Sequence, residues 1–307
     1  MLLAPLALRP ALAAAQQATP VPFVVAPTGT TGVAPLYYAA QQHWFEPAGL
    51  DVSIVPASGG AASVTAVTGG AAQVGFTNTL QLIIAHAKGF PLTLIAPGTQ
   101  SDNANPFVEL VVKSDSTVKS AKDFEDQVVG VTALHDLGTV TLTVWLRKNG
   151  ADPARVKLIE LPPEAALPAL MANRIVAYGL YEPFLSLALA GGARAFANPL
   201  EAVGNHLLTG AWFASLPWAT AHRAAVIRFV RVLSQAAQYV DAHYQDLFPM
   251  IAQYSKIPVA TLQRLAFNKI QTAFNVESLQ TLINAAAETH EIEKPFPAKE
   301  LIFSGVP

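Results

Sequence analysis

Four short loops carry the residues whose types and spacing could grip a small molecule. They read Thr28-Gly29-Thr30-Thr31-Gly32, Ser58-Gly59-Gly60, Thr77-Asn78-Thr79 and His135-Asp136-Leu137-Gly138-Thr139. Each follows an apolar, strand-like run and opens a helix-like one. A helix start leaves its first N–H groups without intrahelical partners, and the dipole adds partial positive charge there. Ser, Thr, Asn and Gly at such a start either cap the helix or let a polar or anionic ligand reach those amides. Capping explains any one loop; four of them, divided between two halves of a chain, could face each other across a cleft. Tyr181-Glu182 adds an aromatic and a carboxylate where another strand gives way to a helix. Glu182 either touches the ligand or caps the helix that follows Pro183. His135 is the one histidine placed near a ligand, with a capping or solvent-facing role as its alternative.

Other chemistries lack their residues. There is no cysteine, which excludes disulfides, thiolate catalysis and cysteine-based metal sites. The seven histidines show no HExxH or similar spacing, so no metal is expected. Gly59-Gly60 is not followed by Gly-Lys-Ser/Thr, and neither GxGxxG nor a G-x-S-x-G elbow occurs. No cofactor is expected, and the catalytic set is empty. Glu109, inside the apolar run PFVELVV, reads as tied to a partner in the hinge, with an exposed strand face as its alternative.

The elements that must position these loops alternate. Strands are predicted over 23–26, 51–55, 73–76 and 92–96, separated by helices reaching Tyr37 and Trp44, then over 60–67 and 80–87. The rhythm restarts with strands over 108–113, 128–132, 156–161 and 176–180 and helices over 139–148, 163–173 and 183–190. This βαβ order implies a mostly parallel sheet covered by helices on both faces. From Leu216 onward only helices are predicted, one long amphipathic helix over 219–243 and shorter ones over 247–254, 259–267 and 276–288. These pack around the lobes rather than forming a third domain.

Composition agrees with a two-lobed globular protein. The chain has 307 residues, 52% hydrophobic and only 13% charged, with a formal net charge of -2. That supports a large core and argues against disorder and against a nucleic-acid partner. Residues 1–20, MLLAPLALRPALAAAQQATP, read as the end of a secretory signal cleaved near Ala15, or else as a disordered apolar tail. They are too short, and too broken by Pro5 and Pro10, to span a bilayer.

Several segments together resemble a known family. They are Ser58-Gly59-Gly60 before a helix, GGAAQVGF over 69–76 running into Thr77-Asn78-Thr79, FVELVVK over 107–113, KSAKDF over 119–124, Val129-Gly130-Val131, Leu161-Pro162-Pro163 and Tyr181-Glu182-Pro183-Phe184. Over roughly residues 21–300 the chain resembles the periplasmic substrate-binding proteins of ABC importers for sulphonates, taurine, nitrate and thiamine precursors. The resemblance implies an α/β fold of two lobes, with two mostly parallel sheets flanked by helices, a ligand cleft between the lobes and two crossover strands. Lobe 1 would comprise 21–111 and 209–307, and lobe 2 would comprise 112–208. It implies capture of a small anionic or polar organic molecule and delivery to an inner-membrane permease and its ATPase, by a periplasmic monomer. Its ligand contacts carry over to Thr28, Thr30, Thr31, Ser58, Gly59, Gly60, Asn78, Thr79, His135, Asp136, Gly138, Thr139, Tyr181 and Glu182. Sulphonate binders of the family often carry Trp where this chain has Tyr181, and no Arg or Lys stands in any of these loops. Anion binding would then rest on neutral donors and dipoles, which leaves room for an uncharged or aromatic ligand. The alternatives are an enzyme on the same scaffold, resembling thiamine-pyrimidine synthases, and a sensing module that signals through the same cleft.

Overall fold

The computed structural model describes residues 21–104, 106–265 and 269–306. The proposed signal segment lies outside the described residues, as does Phe267. Within them the strands, in chain order, are β1 (Val21–Pro27), β2 (Leu50–Ile54), β3 (Val74–Asn78), β4 (Leu92–Gln100), β5 (Val108–Lys113) and β6 (Val128–Val131). There follow β7 (Lys157–Glu160), β8 (Ala177–Tyr181), β9 (Ala193–Ala197), β10 (Leu208–Ser215) and the short β11 (Lys269–Ile270). They form two sheets, ordered β11-β4-β10-β3-β1-β2 and β7-β6-β8-β5-β9.

The two-lobed α/β expectation holds, and strand direction refines it. β1 pairs in parallel with β2 and β3, and β6 with β7 and β8. β10 runs antiparallel between β3 and β4, and β5 antiparallel between β8 and β9. Each inserted strand is the first the chain lays down after crossing from the other sheet. The two crossings, over 101–107 and 198–207, are tied together. The Ser101 amide donates to the Leu207 carbonyl at 2.9 Å, and the Leu207 amide donates to the Ser101 hydroxyl at 2.9 Å.

β9 and β10 are elements that the apolar rhythm did not reveal. β10, LTGAWFAS, is central in its sheet and buried on both faces, so it lacks the alternation that marks a half-exposed strand. The helix expected over 219–243 is two, Leu216–Ala221 and Arg223–Ala242. His222 interrupts it: its ring stacks on Trp218 at 4.7 Å and its Nδ1 lies 3.0 Å from the Trp218 carbonyl. The first helix ends at Gln41, short of Trp44, and the helix expected from Pro163 begins as a 3-10 turn before Ala166–Met171. The helix expected over 259–267 covers Val259–Leu262.

Packing explains why the sheets hold. The inward face of Arg223–Ala242 (Val226, Phe229, Val230, Leu233, Ala237 and Val240) is buried, as its period of 3.6 required. Phe229 stacks on Phe23 at 4.7 Å and on Phe45 at 5.5 Å. Burying one such ring contributes about 1.5–3 kcal/mol. Helix Gly60–Thr68 sits close on the sheet because Gly75 has no Cβ. One added there would lie 2.5 Å from the Phe213 ring and 2.6 Å from the Ser63 hydroxyl. That hydroxyl instead donates to the Ala26 carbonyl at 2.6 Å. On the other face, Leu279 and Leu282 of helix Val276–Glu288 share one cluster with Leu137, Val140 and Val144 of helix Leu137–Lys148. This is where the two lobes pack against each other.

Candidate functional site

A cavity of about 380 Å³ opens where the chain leaves β1 on one sheet and β8 on the other. Its first wall is Gly29, Thr30 and Thr31; its second is Tyr181, Glu182, Pro183 and Phe184. Phe107 at the end of the crossing into β5, Thr132 and Pro163 from the second lobe, and Ile257 and Leu265 from the C-terminal segment complete it. Strand carboxyl ends are where open α/β sheets place ligands.

The first wall is fixed by the sheet and by the C-terminal helices. Thr28 donates its amide (3.1 Å) and its hydroxyl (3.2 Å) to the Phe76 carbonyl, and the Thr30 amide donates to the Thr28 carbonyl at 2.8 Å. The Thr31 carbonyl accepts from the hydroxyls of Tyr254 at 3.3 Å and Tyr244 at 3.5 Å. Burial pushes both phenols above their ordinary range, so they stay protonated and donate. Gly32 lets the loop pass: a Cβ there would run into Thr99 and Phe76.

The second wall is fixed by β5 and by two helix starts. The Glu182 amide donates to the Phe107 carbonyl at 3.0 Å, and the two aromatic rings of Phe107 and Tyr181 lie 5.7 Å apart, tilted at 46°. Glu182 caps the helix Phe184–Ala190, its carboxylate accepting from the Ser186 amide at 3.0 Å and the Ser186 hydroxyl at 2.8 Å. The capping alternative for Glu182 therefore holds, and the same residue lines the cavity.

The His135–Thr139 loop behaves otherwise. Asp136 caps helix Leu137–Lys148 by accepting from the Thr139 amide at 2.9 Å, and the Thr139 hydroxyl donates to the Ala133 carbonyl at 2.5 Å. The Tyr181 hydroxyl packs against Gly138, where an added Cβ would lie 2.8 Å from it. Burial raises Asp136 above the ordinary aspartate range, against the pull of the Thr139 amide. Tyr181 is raised by burial first and then by the charge of Asp136. The helix start is thus occupied by the chain's own oxygens. Asp136, Gly138, Thr139 and Tyr181 instead border a small void under the cavity wall, with Glu109. Glu109 meets no cation there. Burial raises it first, then the charges of Glu182 and Glu201.

Of the fourteen residues expected to bind, Thr30, Thr31, Tyr181 and Glu182 line the cavity. Thr28 supports its floor. Ser58 is exposed, and Gly59 and Gly60 open helix Gly60–Thr68 away from the lining. Gly60 is needed for packing, since a Cβ would strike Gln81 and Thr77. Asn78 caps Thr79–Ala87 by accepting from the Leu80 amide at 2.8 Å. The Thr79 hydroxyl is buried without a hydrogen-bond partner. His135 points to solvent, with Glu291 of the other lobe at 3.1 Å. Ile257 and Leu265 had no sequence signal, because only the return of the C-terminal helices brings them to the first lobe's loop. Among the described residues no group of His, Asp or Glu could hold a metal ion.

A family model described as "NMT1/THI5 like" matches residues 30–246. No curated protein matches the sequence. Among solved structures, the periplasmic aliphatic sulphonate binding protein SsuA from Escherichia coli is 18% identical, covering 94% of this chain and 99% of its own, with a TM-score of 0.77. The alkanesulfonate-binding protein SsuA from Xanthomonas axonopodis pv. citri, bound to MOPS, is 20% identical, covering 93% and 99%, with a TM-score of 0.73. The desulfurization enzyme DSZB is 13% identical, covering 93% and 97%, with a TM-score of 0.70. These likenesses show a shared fold.

Proposed function

The chain belongs to the NMT1/THI5-like family, and from that premise we propose that it is the solute-binding component of an ABC importer. It captures a small organic molecule between two lobes and hands it to a permease worked by a cytoplasmic ATPase. The observation that carries this is the cavity walled by Gly29–Thr31 from one sheet and Tyr181–Phe184 from the other. A solute that touches both walls stabilises the closed arrangement over the open one, by as much as its contacts differ between the two. The lobes divide close to the expected 21–111 with 209–307 and 112–208, with the boundaries moved back to the crossings at 101–107 and 198–207 so that β5 and β10 each stay with their own sheet. The protein works as a monomer outside the inner membrane, in the periplasm. Among the described residues no helix is long and apolar enough to cross a membrane.

Binding rather than turnover is favoured by the lining, whose described side chains include no Lys, Cys or His. Schiff-base chemistry, thiolate attack and imidazole base catalysis would need one of these three. The test is small-angle scattering with and without a broad panel of sulphonates, nitrate, pyrimidines, aromatic acids and amines, alongside native mass spectrometry of undialysed protein. Binding accompanied by compaction is expected; neither, across the panel, would overturn the reading.

A further inference from the structure

We propose that the solute is planar and either uncharged or cationic, that it presents an N–H donor to Glu182, and that the site rejects oxyanions. This rests on the solute-binding reading above and narrows it. Charge is the first observation. Among the described lining residues Glu182 is the one carboxylate, and no Arg or Lys joins it. Of the cations beside the lining segments, Lys256 donates through Nζ to the Gln253 carbonyl at 2.9 Å, and Arg264 is exposed and does not belong to the lining.

Donors are the second observation. An oxyanion in a site without cations depends on free backbone amides. Two helix starts adjoin the second wall, and each has a first-turn amide held by a carboxylate of the chain itself. Asp136 holds the Thr139 amide of helix Leu137–Lys148, and Glu182 holds the Ser186 amide. The groups that satisfy them are themselves negative or electron-rich. Glu109 adds a further carboxyl behind Tyr181, across the small void. An incoming carboxylate or sulphonate would lose its water, find those two amides already engaged and face like charge with no cation in the lining to offset it.

Shape is the third observation. Phe107, Tyr181 and Phe184 provide aromatic surface around a space of about 380 Å³, suited to a flat ring. With both Glu182 oxygens already accepting from Ser186, each retains a lone pair that can accept an N–H from the cavity side.

The test uses four probes that share one ring and differ in head group: benzamidinium, benzamide, benzoate and benzenesulfonate. Each is titrated calorimetrically into the full-length protein at constant ionic strength. Benzamidinium or benzamide is expected to bind at least about tenfold more tightly than either anion. In Glu182→Gln the advantage of benzamidinium over benzamide should collapse. A benzoate or benzenesulfonate that binds as tightly as benzamide overturns the proposal, as does an unchanged benzamidinium preference in Glu182→Gln. If that variant fails to fold, the wild-type series decides alone. No binding by any of the four at millimolar concentration also overturns the assignment. The importer reading would survive that result if the scattering panel still gave compaction with another solute.

Discussion

The Arg147 guanidinium lies 2.6 Å from the Glu288 carboxylate, joining a helix of the second lobe to a helix of the first. Both side chains are nearly half exposed, at 44% and 45%. Such a pair is screened by solvent and gains about 1 kcal/mol or less. A double-mutant cycle with Arg147→Ala and Glu288→Ala should therefore give a coupling of at most about 1 kcal/mol in urea unfolding, shrinking as salt is added. A salt-independent coupling of several kcal/mol would mean that the pair is desolvated and works as a fixed clamp between the lobes. Val140 and Val144 share a buried apolar cluster with Leu279 and Leu282, which holds the same two helices without depending on salt.

Glu109 gives a pH dependence whose sign follows from its surroundings. Burial, then Glu182 and Glu201, raise it above its ordinary 4.5 in the folded state. Between the unfolded and folded values the native protein binds more protons than the unfolded chain, so stability falls as pH rises through that window. Above the window the penalty is fully present. Glu109→Gln should stabilise the protein at pH 7 by an amount below about 1 kcal/mol, since solvent still reaches the carboxyl. The gain should vanish below the ordinary carboxylate range. Urea midpoints from neutral to acid pH measure this; a variant less stable than wild type at neutral pH would contradict it. Asp136 is raised from 3.8 and acts in the same direction.

Thr79 is fully buried at the start of helix Thr79–Ala87, with an unpartnered hydroxyl. Replacing such a group by an isosteric apolar one removes a desolvation penalty without opening a cavity. Thr79→Val is expected to be neutral or to stabilise by up to about 1 kcal/mol in thermal unfolding. Solute affinity should stay unchanged, because Thr79 is outside the cavity lining. Loss of affinity with intact stability would place this hydroxyl on the solute.

Much of this arrangement was legible in the sequence because local chemistry and tertiary role coincide. The apolar stripe of Val226, Phe229, Val230 and Leu233 faces the core as its spacing required, and Val276–Glu288 begins and ends where the sequence pattern placed it. β10 was hidden because a strand buried on both faces carries no alternation. The site was legible in part. Thr30, Thr31, Tyr181 and Glu182 follow strand ends and converge. Asn78, Asp136 and Thr139 follow strand ends too, yet the Asn78 and Asp136 oxygens cap their own helices and the Thr139 hydroxyl donates to the loop carbonyl of Ala133. A capping residue and a ligand-binding residue have the same one-dimensional signature, and only the direction of the side chain separates them.

Ser101 fastens the two crossings, its hydroxyl accepting the Leu207 amide at 2.9 Å while its own amide reaches the Leu207 carbonyl. Ser101 is 1% exposed and Leu207 is fully buried, so nothing in solvent replaces the lost acceptor. Ser101→Ala leaves a buried N–H unpaired, at a cost of about 1–3 kcal/mol. The backbone bond between the same residues survives, so the fold should persist. Because the fastening lies where the chain passes between lobes, the loosened crossings should also change how readily the lobes part. Amide exchange at Leu207 is expected to accelerate by about tenfold or more, following the same free-energy loss. Unchanged exchange there, together with an unchanged urea midpoint, would show that the Ser101 hydroxyl does not hold the crossings together.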